Sequence, residues 1–275
     1  IFLYLILGLV LFVIQRNLTF NKSGKPLKPE KYGLRQTKEI FINTPDNLSL
    51  LAWFQKPKIN KPIVIYFPGN SFDIGERAYK IERYIQNGWG ILLLAWRGYS
   101  GNNGKPTEKN LYIDGQAAID WVKKNIYYRN TDIVLYGESL GCGIAVELGL
   151  RENFKSIILE APFTSIGDIG QKKYPIYPVK FLTIDRFDNL SKIHKILSPI
   201  LIIHGKKDEI IPYIHSLLLY KKANKRKKLL CIDEAMHNNL YDFNIDKECK
   251  RIYNQVKSYK GKFIPIGHSA GGWFA

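Results

Sequence analysis

The stretch that most constrains the fold of this chain is residues 132–146. Residues 133–136 are β-branched, apolar or aromatic and are bounded by Asp132 and Gly137, a composition that is typical of a buried strand. Apolar residues then recur at helical spacing over residues 144–150. The stretch therefore predicts a strand, a tight turn and a helix in direct succession.

The turn within this stretch, residues 137–141, fits the pattern G-x-S-x-G. A serine on a sharp strand-to-helix turn needs a small residue two positions before it and two after it, because the backbones approach closely there. Such a turn pushes Ser139 outward and predicts it as a nucleophile. The N–H of Leu140 opens the helix without an intrahelical partner, so it is expected to point at a developing oxyanion.

Residues 267–271 match G-x-S-x-G a second time, with Ser269 in the middle. This match follows an apolar run that is interrupted by Pro265, and the given sequence leaves no room after it for a helix, an acid or a histidine. We therefore interpret it as a coincidental match within a C-terminal tail.

A serine hydroxyl is a weak nucleophile until a base takes its proton, and the base needs an acid to orient it. In folds with this kind of turn the three residues follow the order Ser, acid, His, each in a loop after a strand. Asp208 follows the apolar run 200–203, and His237 follows the run 229–232. The spacing therefore predicts a catalytic triad of Ser139, Asp208 and His237.

The alternative acids and bases are less well placed. His204 lies at the end of a predicted strand, where we expect it to buttress the loop of the acid. The others are two histidines in helix-like segments, two acids that fit only if the last strand ends early, and two acids in a connecting segment: His194, His215, Asp233, Glu234, Asp185 and Asp188.

A second N–H donor for an oxyanion is expected from the loop after the predicted strand 63–67. In that loop Gly69 lets the backbone come close to the substrate, and Asn70 would offer its N–H. An ordinary strand-to-helix turn is the alternative that the sequence leaves open. Asn70 and Leu140 are thus the predicted oxyanion hole.

Eight apolar runs occur along the chain, at 39–43, 48–54, 63–67, 91–95, 133–136, 156–160, 200–203 and 229–232. The first two are predicted to form a hairpin through residues 44–47. The later runs are apolar throughout and alternate with helical patterns, which predicts a mostly parallel sheet with helices on both faces. The expected fold class is α/β with an eight-stranded sheet. Because the segment 161–198 is modest in length, the expected lid is small or absent.

The chain begins with an uncharged apolar run over residues 1–14, short of the roughly 20 residues that span a bilayer. No small-residue cleavage site follows it, which favours an uncleaved membrane anchor over residues 1–20; a buried core helix is the alternative. We assign 21–36 to a linker, 37–260 to the main domain and 261–275 to a tail. The basic residues after the run favour a cytoplasmic main domain: Arg16, Lys22, Lys25 and Lys28.

The formal charge of +17 is compatible with nucleic acid, an anionic membrane or a merely lysine-rich surface. The densest basic block, residues 221–228, lies between a helix-like and a strand-like segment and is interpreted as a solvated loop, so no nucleic-acid partner is expected. The hydrophobic content of 45% is sufficient for a sizeable core. The three cysteines lack metal-ligand spacing and indicate no disulfide framework; we expect Cys142 to be a small packing residue.

Six motifs together resemble the N-terminally membrane-anchored α/β-hydrolases of the bud-emergence (Bem) type, whose relatives include protein depalmitoylases and lysophospholipid lipases. The motifs lie at 66–71, 96–101, 137–141, 161–166, 203–208 and His237. By this resemblance Ser139, Asp208 and His237 match the family's triad, and Asn70 and Leu140 match its oxyanion hole. The chain departs from the family at Pro68, where relatives usually have histidine, and in its C-terminal segment.

The resemblance implies a small-lid α/β-hydrolase fold and a membrane-anchored serine hydrolase. This enzyme would cleave a carboxylic ester or thioester, in a lipid or an acylated protein, through an acyl-enzyme on Ser139. No metal and no organic cofactor is implied. The alternative from another class is a catalytically silent scaffold that binds a partner or an acyl ligand, and reaction with a fluorophosphonate probe would distinguish the two.

Overall fold

The computed structural model of the protein describes residues 2–258, with side-chain surroundings as far as Arg251. Its centre is one eight-stranded sheet with the strand order β1-β2-β4-β3-β5-β6-β7-β8. The strands are β1 Lys38–Asn43, β2 Ser49–Gln55, β3 Ile63–Phe67, β4 Gly90–Leu94, β5 Ile133–Glu138, β6 Ser156–Glu160, β7 Ile200–Gly205 and β8 Lys227–Ile232.

The direction of the strands follows the apolar pattern. Strand β2 pairs antiparallel with β1 and with β4, whereas all the other neighbouring strands pair in parallel. Strands β3 to β6 are buried at every position, because helices cover both faces of a parallel sheet. The predicted α/β class and the eight-stranded, mostly parallel sheet are therefore confirmed.

Nine helices accompany the sheet within the described residues. They are α1 Phe2–Thr19, α2 Ala78–Ile85, α3 Glu108–Ile126, α4 Gly141–Arg151, α5 Ile166–Lys173, α6 Val179–Leu182, α7 Asn189–Lys192, α8 Ile214–Lys222 and α9 Ile245–Ser258. Side chains of α3, α4 and α8 pack into the core on one face of the sheet, and those of α2 and α9 pack into the core on the other. The sheet is thus the middle of three layers.

The parallel strands bring distant parts of the chain to one edge of the sheet. Ser139 directly follows β5, Asp208 follows β7, and His237 follows β8. Strand β6 separates β5 from β7, and β8 is next to β7. Because the carboxyl ends of parallel strands lie at the same edge, the fold places these three residues around one crevice.

The crevice is covered by residues 166–192, which contain α5, α6 and α7 and which we call the cap segment. Helix α5 has eight residues, and α6 and α7 have four each, so the lid is small, as predicted. The short helices were not predicted, because four residues carry too little periodicity to be recognised.

Helix α1 lies against the cap segment. The rings of Tyr4 and Tyr177 stack with their centroids 4.7 Å apart, and the Tyr4 hydroxyl donates to the carbonyl of Ile176. Closer to the C-terminal end of α1, Arg16 forms an ion pair with Asp185 at 2.8 Å. No residue of α1 is buried, so its contact with the domain is confined to one face.

Residues 21–36 run along the main domain. The N–H of Ser100 donates to Ser23 Oγ at 3.0 Å, and a short 3₁₀ helix, Pro29–Tyr32, follows. The ring of Tyr32 packs on Trp53 with the centroids 5.4 Å apart. These contacts hold the chain between α1 and β1 against the domain surface.

Candidate active site

The turn after β5 holds Ser139 in a strained backbone conformation. Its φ is 50°, in the left-handed region that residues with a side chain seldom adopt. A Cβ on Gly137 would lie 2.6 Å from the carbonyl oxygen of Gly141, and a Cβ on Gly141 would overlap the carbonyl of Phe67. Only glycine fits at either position, and the turn therefore projects Ser139 into the crevice, as the pattern predicted.

The side chains of Ser139, His237 and Asp208 lie within hydrogen-bond distance of one another. His237 Nε2 is 3.2 Å from Ser139 Oγ, and His237 Nδ1 is 2.7 Å from Asp208 Oδ2. The His237 side chain is 11% exposed, and that of Asp208 is fully buried. The arrangement has the order and the spacing that proton transfer from a serine to a histidine requires.

The carboxylate of Asp208 is fixed by its own loop. Its Oδ1 accepts hydrogen bonds from the N–H groups of Ile210 and Ile211, at 2.9 and 2.8 Å, and its Oδ2 lies 3.0 Å from His204 Nε2. Burial raises the pKa of Asp208, but the hydrogen bonds from His204 and His237 outweigh it and hold the pKa well below its usual range. Asp208 is therefore an ionised acceptor for the proton on His237 Nδ1.

Apart from His204, which contacts Asp208, the other candidate acids and histidines lie away from the crevice. His215 Nδ1 is 2.8 Å from Thr164 Oγ1, and burial lowers the pKa of His215. The second serine of a G-x-S-x-G match, Ser269, lies outside the described residues. Among the residues that are described, none of the alternatives lines the cleft at Ser139: His194, His204, His215, Asp185, Asp188, Asp233 and Glu234.

The loop after β3 approaches Ser139 closely. A Cβ on Gly69 would lie 3.3 Å from Ser139 Cβ, and Asn70 and Leu140 both line the cleft. Within residues 2–258, neither the N–H of Asn70 nor that of Leu140 finds a hydrogen-bond acceptor. Two unsatisfied N–H groups beside the serine are what an oxyanion requires.

The side chain of Asn70 is held from three directions. Its Oδ1 accepts from the Tyr99 hydroxyl at 2.5 Å and from the N–H of Asn21 at 3.1 Å, and its Nδ2 donates to the carbonyl of Thr19 at 2.5 Å. The carbonyl of Pro68, the position where the chain departs from its resemblance, accepts from Trp96 Nε1 at 3.1 Å. The loop is thus supported by side chains and by the end of α1.

Arg77 connects the serine turn to this loop. Its guanidinium makes two hydrogen bonds to Glu138, the residue before Ser139, at 3.0 and 3.2 Å, and a third to the carbonyl of Ser71 at 2.5 Å. One buried cation therefore fixes the nucleophile and the oxyanion loop relative to each other. The sequence analysis missed Arg77, because 61 residues separate it from its partner.

A buried charge network continues behind the turn. Burial raises the pKa of Glu138, but Arg77 and Lys80 lower it to well below its usual range. Lys80 also forms an ion pair with the buried Glu160 at 2.9 Å. The signal in the sequence is a glutamate at the end of an apolar strand, since a buried carboxylate needs a cation nearby.

A cleft of about 440 Å³ opens from Ser139 and His237. The cap segment forms one wall of the cleft. The opposite wall is formed by one face of α1: Gly8, Leu11, Phe12, Gln15, Leu18 and Thr19. The apolar N-terminal run, which was predicted as an anchor with a buried core helix as the alternative, thus borders the site without a buried residue.

Comparison with protein families matches residues 99–259 to the description Prolyl oligopeptidase family. This match covers more than half of the chain. It includes the three hydrogen-bonded residues Ser139, Asp208 and His237, which we call the relay.

Two proteins illustrate the similarity of sequence. The chain is 29% identical over 236 residues to the uncharacterized protein Rv2307c of Mycobacterium tuberculosis, with 84% of each chain covered. It is 34% identical over 181 residues to the human alpha/beta hydrolase domain-containing protein 17B, which covers 66% of this chain and 62% of the human protein.

Solved structures show the same fold at lower identity. The esterase Pf2001 of Pyrococcus furiosus matches with a TM-score of 0.69 and 20% identity, covering 88% of this chain and 100% of the esterase. The esterase Est1E of Butyrivibrio proteoclasticus, solved with bound ferulic acid, matches with a TM-score of 0.64 and 22% identity over 79% of this chain and 98% of Est1E.

Proposed function

Because the chain belongs to the prolyl oligopeptidase family within the α/β-hydrolase superfamily, and so is a hydrolase, we propose that it cleaves carboxylic esters or thioesters with a serine nucleophile. The observation that carries this proposal is the hydrogen-bonded relay from Ser139 Oγ through His237 to Asp208. The relay faces a cleft with largely apolar walls, which suits an acyl group.

In the proposed mechanism Ser139 Oγ attacks the acyl carbon while His237 Nε2 accepts its proton. The carbonyl oxygen gains negative charge, and the N–H groups of Asn70 and Leu140 donate hydrogen bonds to it. The imidazolium then gives its proton to the departing alkoxide or thiolate, which leaves an acyl-enzyme on Ser139. A water molecule, deprotonated by His237, hydrolyses this intermediate and releases the carboxylic acid.

Asp208 has a positioning role in this scheme. As an acceptor of hydrogen bonds from its own loop it cannot rotate away, and as a carboxylate it favours the tautomer of His237 that carries its proton on Nδ1. Nε2 is then free to accept the proton of Ser139. The charge of Asp208 also stabilises the imidazolium that forms during the attack.

We further propose that α1 tethers the enzyme to a membrane through its exposed outer face, since its inner face lies against the cap segment, and that the main domain lies in the cytoplasm. By length and composition α1 is apolar enough for a membrane, and the basic residues that follow it favour the cytoplasmic side. The stacking of Tyr4 on Tyr177 in the cap segment supports a helix that stays with the protein, since a cleaved signal would have no reason to dock. Lipids and S-acylated proteins are then the expected substrates.

The test is labelling with a fluorophosphonate probe together with turnover of a panel of acyl esters, acyl thioesters and prolyl peptide amides. Ser139→Ala is expected to abolish labelling, and both Ser139→Ala and His237→Ala are expected to lower kcat by about 10⁶. Asp208→Asn is expected to lower kcat by about 10⁴, because it leaves the wrong tautomer of His237.

Ser269→Ala is the matched control and should keep both labelling and turnover. Labelling that survives Ser139→Ala but disappears with Ser269→Ala would reject the site assignment. A protein that neither labels nor turns over any ester or thioester would support the silent scaffold instead. Preferential hydrolysis of prolyl peptide amides would mean that the substrate is a peptide and not an acyl ester or thioester.

A further inference from the structure

We propose that the inner face of α1 is the acyl-binding wall of the active site and that the cleft takes a long acyl chain; this inference rests on the proposed function. The residues of α1 that line the cleft recur every three or four positions, from Gly8 to Thr19. That spacing marks a single face of a helix. The residues between them, such as Leu9 and Val13, are 64% and 71% exposed and face away from the domain.

The cleft is long enough for an extended acyl chain. From Gly8 to Thr19 the helix rises about 16 Å along the cleft, since each residue adds about 1.5 Å. The near end is at Asn70, whose side chain donates to the carbonyl of Thr19 beside Ser139. The far end is at Gly8, where an added Cβ would lie 3.0 Å from the ring of Tyr177.

The polar groups along this wall already have partners. The Oε1 of Gln15 accepts from the N–H of Ile184 at 2.8 Å, and its Nε2 donates to the carbonyl of Phe12 at 2.8 Å. A ligand therefore finds no free hydrogen-bonding group there, while Leu11, Phe12 and Leu18 offer apolar surface. Methylene groups fit such a wall, and a polar group would lose its hydration without compensation.

The cap segment adds apolar side chains to the lining, next to the polar residues Lys173, Tyr174 and Thr183. Ile166, Ile169 and Val179 of the cap segment face the cleft, and so does Leu182. Because the cap segment and α1 hold each other through Tyr4, Tyr177, Gln15 and Arg16, the two walls form one channel that leads to the acyl carbon at Ser139. The chain of the substrate would then lie between α1 and the cap, parallel to α1.

Two substitutions of the same kind on the same helix test this inference. Leu11→Trp fills the inner face, and Leu9→Trp places the same side chain on the outer face. For the full-length protein in lipid nanodiscs, we expect Leu11→Trp to lower the ratio of kcat/KM for p-nitrophenyl palmitate to that for p-nitrophenyl acetate by about ten-fold or more. Each methylene kept out of an apolar site weakens its binding by about four-fold. Leu9→Trp should leave this ratio unchanged.

A second substitution on the inner face of α1 keeps the test valid if Leu11→Trp does not fold. Leu18→Trp would add its atoms about 10 Å nearer to Ser139 along the helix than Leu11→Trp. It should therefore impair turnover already for shorter acyl chains than those impaired by Leu11→Trp, which a series of p-nitrophenyl esters measures. A cut-off at the same chain length for both variants would contradict the proposed path.

A binding measurement on a protein without turnover distinguishes a failure of this inference from a failure of the proposed function. In the Ser139→Ala protein, a dansyl-labelled undecanoic acid should bind more weakly by about ten-fold or more after Leu11→Trp and normally after Leu9→Trp. Equal binding to both overturns the acyl wall, whatever the esters show. Weaker binding to the inner variant alone, in a protein that hydrolyses no ester, would uphold the wall and reject the proposed function.

Discussion

The side chain of Asn70 joins three parts of the chain that are distant in sequence. It bonds to Thr19 at the end of α1, to Asn21 just after it, and to Tyr99 after β4. The proposed oxyanion donor is the backbone N–H of Asn70, which these bonds do not use. The side chain therefore acts as a positioning group for its own backbone.

Asn70→Ala keeps the N–H and removes all three side-chain bonds. We expect kcat on a short soluble ester to fall by about ten-fold to 10², less than the 10²–10³ that a lost oxyanion donor typically costs. Tyr99→Phe removes one bond and should have a smaller effect. Tyr128→Phe, which removes a hydroxyl that donates to the carbonyl of Lys61 at the surface, is the matched control. An unchanged kcat for Asn70→Ala would show that the loop needs no such support.

The lowered pKa of Glu138 predicts how the free energy of unfolding changes at acid pH. Its pKa is raised by burial but lowered further by Arg77 and Lys80, so in the folded state it lies below the ordinary value of 4.5. The unfolded carboxylate thus binds a proton more readily, and the stabilisation from this network is complete above pH 4.5 and is lost as the pH falls below it. Glu138→Gln should reduce the slope of the unfolding free energy with pH, by up to about 1.4 kcal/mol per pH unit.

Denaturant unfolding between about pH 2 and pH 6 measures this slope. Glu76→Gln, which changes an exposed glutamate one residue before Arg77, is the control and should follow the unsubstituted protein. If Glu138→Gln had the same slope as the control, the network would not contribute to acid stability.

The residues of the candidate site could be predicted from the sequence where their placement follows from a neighbouring strand end. The positions of Ser139, Asp208 and His237 follow from strand ends, because a parallel sheet brings all its carboxyl ends together. The contact of Arg77 with Glu138 and Ser71 has no local signal, since three separate loops must first be placed. That part of the site required the structure.

At the scale of elements, the eight strands lie where the apolar runs predicted them. For β3 to β7 the reason is that burial on both faces leaves an unbroken apolar pattern. Strand β8 begins at Lys227, two residues before its apolar run, since residues 227 and 228 pair with β7 regardless of their charge. The position of α1 against the cap segment could not be predicted, because an apolar helix carries the same pattern whether it faces lipid or protein.

Removal of α1 should therefore alter catalysis as well as attachment. A chain that begins at Phe20 loses the carbonyl of Thr19 and one wall of the cleft, but it keeps the cores on both faces of the sheet, since α1 contributes no buried residue and the core residue Phe20 is retained. We expect this chain to fold and to show kcat on p-nitrophenyl acetate lower by about ten-fold or more. Circular dichroism and steady-state kinetics in detergent would measure both.

Tyr4→Ala, which removes the ring contact with Tyr177 and the hydrogen bond to Ile176 at the far end of α1, is the control for this truncation and should change acetate turnover little. Equal kcat for the truncated and the full-length chain would show that α1 is a tether alone.

At the scale of the whole molecule, the charge of +17 predicts attraction to anionic lipid. Lys22, Lys25 and Lys28 are exposed and follow α1 directly. Replacing all three by Gln should weaken binding to anionic liposomes by about 10², because each basic residue held near such a surface contributes about 1 kcal/mol. Turnover of a soluble ester should not change.

The matched control replaces three exposed lysines, Lys221 and Lys222 at the end of α8 and Lys225 in the loop after it, by Gln. Liposome flotation at low and moderate salt compares the two triple variants. Equal weakening by both would mean that total charge, and not the segment after α1, sets the attraction to the membrane.

The two faces of helix α1 have different surroundings, and they therefore tolerate different substitutions. Apolar exchanges at outward positions such as Leu9 and Val13 would be neutral, because one apolar side chain replaces another against the same surroundings. Exchanges at Gly8 or Leu11 would reshape the channel while the triad and the sheet stay as they are. Descendants of such an enzyme can thus acquire new substrate preferences by mutations within α1, far in sequence from every residue that performs the chemistry.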